Sequence, residues 1–135
     1  MDHLADFERL CSETLRFDCT SLGLQTDHTV KPAWQHEAYQ VTIARGADSY
    51  STTYRQGTGH TTAPTVSQVV SCLLSDARSA DEHTFESFCS EFGYDDDSRT
   101  AERAYVACRD CSSALRRILG DDYDRFNATA IEAGL

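Results

Sequence analysis

Lysine is nearly absent. Lys31 is the only one, and Lys and Arg together number 12 against 22 Asp and Glu, for a formal net charge of −10. Nucleic acid is gripped through clustered Lys and Arg on its phosphates, so this balance argues against direct nucleic-acid binding. It argues equally against docking on an anionic membrane. A long apolar run is missing too, and no segment reads as bilayer-spanning. The N-terminus, "MDHLADFERLCSE", has neither the basic start nor the apolar centre of a signal peptide. These absences predict a soluble protein of the cytoplasm. Repeats, linkers and low-complexity tracts are also lacking, and 135 residues suit one compact domain, 1–135.

The acid excess is concentrated. Residues 76–102 hold nine acids and two bases, whereas residues 1–75 hold eight and five, and residues 103–135 five of each. The concentrated stretch includes "FESFCSEFGYDDDSRTAERAYVACRDC", which joins aromatics, three consecutive aspartates and three cysteines. Six cysteines would suffice for three disulfides, but Cys11, Cys72, Cys89, Cys108 and Cys111 fall within helix-like patterns and nothing suggests export. Free thiols are the expectation.

Along the chain, Leu4, Phe7, Leu10, Cys11 and Leu15 recur at helical spacing and predict a first helix over about 3–17, capped by Asp2. "DCTSLGLQTDHTVKP" reads as a loop broken by Gly23 and Pro32, long enough to hold a short strand. "AYQVTIAR" and "YSTTYR" flank "GADS" and predict a hairpin over about 38–45 and 49–56, with Trp34 as a core plug. Pro64 fits the first turn of a helix whose apolar face is Val66, Val69, Val70, Leu73 and Leu74. "SDARSADEH" reads as a link to a short helix capped by Thr84, carrying Phe85, Phe88, Cys89 and Phe92 and stopped by Gly93. Ser98 caps the next helix, Gly120 ends it, and "DDYDRFNATAIEAG" holds one more short helix. The fold class is α+β: a β-hairpin, with room for a third strand, packed against four to five helices.

Known chemistries fit poorly. Counted from Asp95, a calcium loop would need Gly at its sixth position and Glu at its twelfth, where Thr100 and Val106 stand. The aspartates read instead as an acidic turn before the Ser98 cap, where negative charge is favoured. Cys108 and Cys111 form C-x-x-C without a second pair, so a zinc site would need Cys72, Cys89 or His83 by tertiary contact. "GTGHTTAP" lacks the Lys of a phosphate loop and the third Gly of a dinucleotide loop. No catalytic frame surrounds any His or Cys, so no enzyme, cofactor or metal is predicted. The stripe of Phe85, Phe88 and Phe92 reads as core; any of them exposed beside the acids would make an interface anchor.

"FESFCSEFGYDDDSRTAERAYVAC", with the upstream "YQVTIAR", "GTGH" and "PTVSQVVSCLLSDA", resembles a group of small phage and prophage proteins. They share a Trp-led hairpin, a G-x-G-H turn, a Pro-started helix and a Phe-Cys-Ser-Glu-Phe-Gly-Tyr segment. The resemblance covers about residues 34–119 and implies a mobile-element origin. Small acidic phage proteins often bind host machinery, inhibitors of CRISPR effectors among them. Effector channels are lined with Lys and Arg, for which a dense carboxylate patch can compete. The resulting expectation is a non-enzymatic inhibitor, acting in the host cytoplasm on a protein or ribonucleoprotein with a basic surface. Glu86, Glu91, Asp95, Asp96 and Asp97 are the expected contacts. The alternatives are a phage accessory module that forms a homodimer through the hairpin edge, and a small zinc-stabilised domain built on Cys108 and Cys111.

Overall fold

A computed structural model describes residues 2–60, 62–95 and 97–135. It has an α+β architecture. A three-stranded antiparallel sheet in the order β1-β2-β3 carries its helices on one face.

Helix α1 (His3–Thr14) starts where the Asp2 carboxylate accepts a hydrogen bond from the Ala5 amide at 3.0 Å. It buries Phe7 and Cys11 and stops three residues before the expected end, because Leu15 takes an extended conformation. The chain then runs directly into β1 (Arg16–Asp27), a strand of 12 residues where a loop with room for a short third strand was expected. The reason lies in the partner strand. Phe17 and Cys19 lie opposite Ile43 and Val41 of β2 (Trp34–Arg45), so the few apolar side chains of β1 share the buried face. Gly23 does not break the strand. The register shifts between Ser21 and Gly23, and Gly23 takes a φ of 87° there, as a β-bulge requires.

Strand β3 (Asp48–Gly57) completes the meander through a tight turn in which Gly46, at φ 62°, comes first, the place where such hairpins favour glycine. Tyr39, Val41 and Ile43 lie opposite Tyr54, Thr52 and Tyr50, and this inner face meets the helices. The opposite face is polar, with the Thr42 and Ser51 hydroxyls 2.7 Å apart across it. Trp34 has the parity of that outer face. It is 41% exposed and does not plug the core.

Helix α2 (Val66–Asp81) opens with a reciprocal capping box between Thr65 and Gln68, so Pro64 precedes the cap instead of sitting in the first turn. The residues expected to form a link continue the helix, because Ala77 and Ala80 extend its buried face. Helix α3 (Phe85–Phe92) is capped by Thr84 and closed by Gly93 at φ 75°. Helix α4 (Arg99–Leu119) is capped by Ser98 and followed at Gly120 by a single 3-10 turn. Helix α5 (Tyr123–Glu132) inserts Tyr123 and Phe126 into the core.

Helix α4 lies along α2 and crosses the sheet. Arg45 of β2 donates to the Leu119 carbonyl at 3.1 Å and pairs with Asp122 at 2.9 Å, serving the carbonyl end of α4. Arg117 reaches back to the Ser49 carbonyl at 3.2 Å. No helix among the described residues is long and apolar enough to cross a membrane.

Candidate functional site

The acidic stretch folds as α3, the turn after it and the first turn of α4. Thr84 and Ser98 make local hydrogen bonds to the amides of Ser87 and Ala101, which fix where each helix starts. Gly93 lets the chain reverse between them. Glu86 lies in the first turn of α3 and Glu91 near its end. Asp95 and Asp97 lie on the connecting turn, and Asp96 lies outside the described residues. Glu86, Glu91, Asp95 and Asp97 are all exposed. Among the described residues, no ion pair or side-chain hydrogen bond occupies any of these four carboxylates.

Not every acid of the stretch is available in this way. Asp81 is a structural hub. Its carboxylate accepts from the Ser112 hydroxyl at 2.7 Å, from Arg116 at 2.8 Å and from the Tyr123 hydroxyl at 3.3 Å. Partial burial opposes its ionisation, but these donors outweigh that and hold its carboxyl below the usual range. The Arg116 guanidinium also lies over the Tyr123 ring, 4.3 Å from its centre. This network ties the end of α2 to α4 and α5.

The aromatic residues of the stretch divide. Phe88 is 4% exposed and anchors α3 against α4, with its ring 5.2 Å from that of Tyr105. The Tyr105 hydroxyl donates to the His83 carbonyl at 2.9 Å and closes the other end of the same cluster. Phe92, expected in the core, is instead 49% exposed; it leans on Phe88 at 4.8 Å and presents its other side to solvent. Tyr94 stacks on Phe88 at 6.0 Å and is 37% exposed. A helix of eight residues flanked by a turn has too little partner surface to cover three aromatic rings. Two exposed aromatic side chains thus share the stretch with four exposed carboxylates that are unpaired among the described residues. Helical spacing grouped Phe88 with Phe92, but nothing local showed which of the two the rest of the fold would cover.

The cysteines offer no second site. Cys11, Cys19, Cys72, Cys108 and Cys111 are unbridged. The Cys111 thiol, buried between α2 and α4, donates to the Leu73 carbonyl at 3.3 Å. Burial pushes the thiols of Cys11 and Cys111 up to about 12 and that of Cys108 up to about 11. At neutral pH they are protonated, packed side chains and poor nucleophiles. Among the described residues, no three His, Cys, Asp or Glu side chains are gathered to hold a metal ion.

A second group of residues has no counterpart among the expected sites. At the far end of the sheet, Gln25, Thr26, Asp27, Thr29, Trp34, His36 and Arg55 line a recess of about 520 Å³. Its signal in the sequence was the Trp-x-His alternation at the start of β2, which places both rings on one face.

No protein-family profile matches the chain, and neither a curated protein nor a solved structure matches it.

Proposed function

We propose that this protein is a non-enzymatic binding module whose α3–α4 face docks on a basic surface of a partner. One observation carries the reading: the exposed carboxylates of Glu86, Glu91, Asp95 and Asp97, unpaired among the described residues, lie on the same α3–α4 stretch as the exposed rings of Phe92 and Tyr94. The carboxylates would steer and orient a cationic partner, with a strong dependence on salt. The rings would supply the desolvated anchor that charge alone does not provide. The concentration of negative charge in residues 76–102 supports the same face.

The resemblance to phage and prophage proteins narrows the partner to a nucleic-acid-handling complex of the host, such as a CRISPR effector, and the action to inhibition. The test is target cleavage by a purified effector ribonucleoprotein in the presence of this protein. The wild type is compared with a variant in which Asp95, Asp96 and Asp97 are all replaced by Asn, and with Phe92→Ala. Inhibition by the wild type that weakens with salt and disappears in both variants supports the proposal. Full inhibition by the triple variant would sink the acidic face.

A second reading has its own observation. Strand β1 is a sheet edge of 12 residues, and Leu22 and Leu24 are exposed on it. Such an edge favours pairing with a second copy, as in a homodimeric accessory module. Sedimentation of the wild type against Leu24→Lys distinguishes it: a dimer that dissociates in the variant, without any effector inhibition, favours this second reading.

A further inference from the structure

The recess at the far end of the sheet gathers polar side chains whose hydrogen-bonding capacity the fold leaves partly unused. His36 is 3% exposed, and both of its imidazole nitrogens lack a hydrogen-bond partner among the described residues. A buried polar group left unpaired costs on the order of 1–3 kcal/mol, so such groups are rare unless they serve a purpose. The Trp34 indole stacks on this imidazole at 4.4 Å and keeps much of its own surface open. Its ring is thereby a supported platform.

Around the platform stand Gln25, Asp27 and Arg55, brought together by strand pairing. Gln25 lies opposite His36, Asp27 opposite Trp34, and Arg55 opposite Ala38, beside His36 on the same face. No hydrogen bond or ion pair occupies the side chains of Gln25 or Arg55 among the described residues. Asp27 is oriented by two donors, the Thr29 hydroxyl at 2.6 Å and the Thr29 amide at 2.9 Å. These bonds hold its carboxyl below the usual range, so it is an acceptor at neutral pH.

The ligand class follows from this inventory. Arg55 only donates, Asp27 only accepts, and Gln25 does both. A ligand that meets all of them must carry several groups able to donate and accept at once, on a frame with an apolar face. Vicinal hydroxyls on a sugar ring have this character. The weakly positive C–H groups of a pyranose face complement the negative face of an indole. Asp27 and the overall charge of −10 oppose a phosphorylated or otherwise anionic ligand. A volume of about 520 Å³ lies within the usual range for small-molecule sites. We propose that this recess binds a neutral saccharide, one sugar face stacked on Trp34 and its hydroxyls paired with Gln25, Asp27 and Arg55.

Trp34 is the only tryptophan in the chain, so emission excited selectively at tryptophan, beyond the tyrosine absorption, reports this recess. The full chain is titrated with glucose, galactose, mannose, N-acetylglucosamine and their disaccharides, and separately with adenosine and guanosine as flat, stacking competitors. The expected result is a saturable change in emission with at least one saccharide. Affinity falls at least about tenfold in Asp27→Asn and in Arg55→Ala, as the loss of a hydrogen bond to a charged group requires. Neither side chain lies in the core, and circular dichroism should show the wild-type secondary structure, with binding compared at a temperature where both variants are folded. A second titration by calorimetry covers any sugar that binds without changing the emission. No saturable response to any saccharide by either method overturns the proposal. So does a response to nucleosides alone, or saccharide affinity unchanged in both variants.

Discussion

The imidazole of His36 lies against the indole of Trp34, ring centres 4.4 Å apart and planes inclined by 30°. Nothing else caps those imidazole nitrogens among the described residues. The pair therefore combines a favourable stack with an unpaid polar burial. His36→Phe keeps the stack and removes the two orphaned atoms. It should raise the unfolding free energy by about 1 kcal/mol in urea. A loss of stability would mean that the nitrogens are partnered.

Phe88 and Phe92 sit one helical turn apart, with ring centres at 4.8 Å, yet do different work. Phe88→Ala opens a cavity under α3 and should cost about 3–5 kcal/mol. Phe92→Ala removes a half-exposed ring and should cost less than about 1.5 kcal/mol, the size of an aromatic pair contact. Denaturant unfolding of the two variants checks the contrast. Equal losses would place Phe92 in the core and take the anchor out of the proposed docking face.

Asp81 links α2 to α4 and α5, and its contribution depends on pH. Its carboxyl is held below its ordinary value in the folded protein by Ser112, Arg116 and Tyr123, against the opposing effect of burial. A carboxylate stabilised in this way contributes fully above the ordinary, unfolded-state value, and the contribution is lost as pH falls through the depressed folded value. Asp81→Asn should therefore lower the melting temperature at pH 7, with the difference from wild type shrinking on acidification below about pH 4. A difference that grows on acidification would reverse the assignment.

The buried thiols should resist alkylation. With Cys11 and Cys111 held up to about 12, the reactive thiolate is scarce at neutral pH. Iodoacetamide treatment of the folded protein, followed by mass spectrometry, should leave Cys11 and Cys111 unmodified while the exposed Cys72 reacts first. Addition of urea should make all of them reactive. Rapid labelling of Cys111 in the folded state would show that α2 and α4 separate.

Local chemistry was enough to locate the helices. Thr84, Gly93, Ser98 and Gly120 act through their own hydrogen bonds and backbone angles, and each stands where its neighbours required a cap or a stop. The hairpin around Gly46 and the acidic stretch were legible for the same reason. The segment of β1 showed room for a short strand, but not a strand of 12 residues. Its apolar residues are few, and Phe17 and Cys19 gain a buried face only because Ile43 and Val41 lie opposite them. The end of α2 was misread in the opposite sense, since Ala77 and Ala80 look like linker residues until α4 covers them.

Residue pattern and local chemistry alone specify the α+β class, the helix ends set by caps, and the single segment that carries most of the net negative charge. Which carboxylates find partners and which aromatic rings stay uncovered follows from the packing of distant segments. That packing paired Asp81 with three donors and left Asp95 and Asp97 in solvent, buried Phe88 and exposed Phe92, and set Trp34 over His36 on the outer face of the sheet. Caps and turns are fixed within a few residues, whereas exposure depends on what distant parts of the chain bring alongside, and no local pattern encodes that.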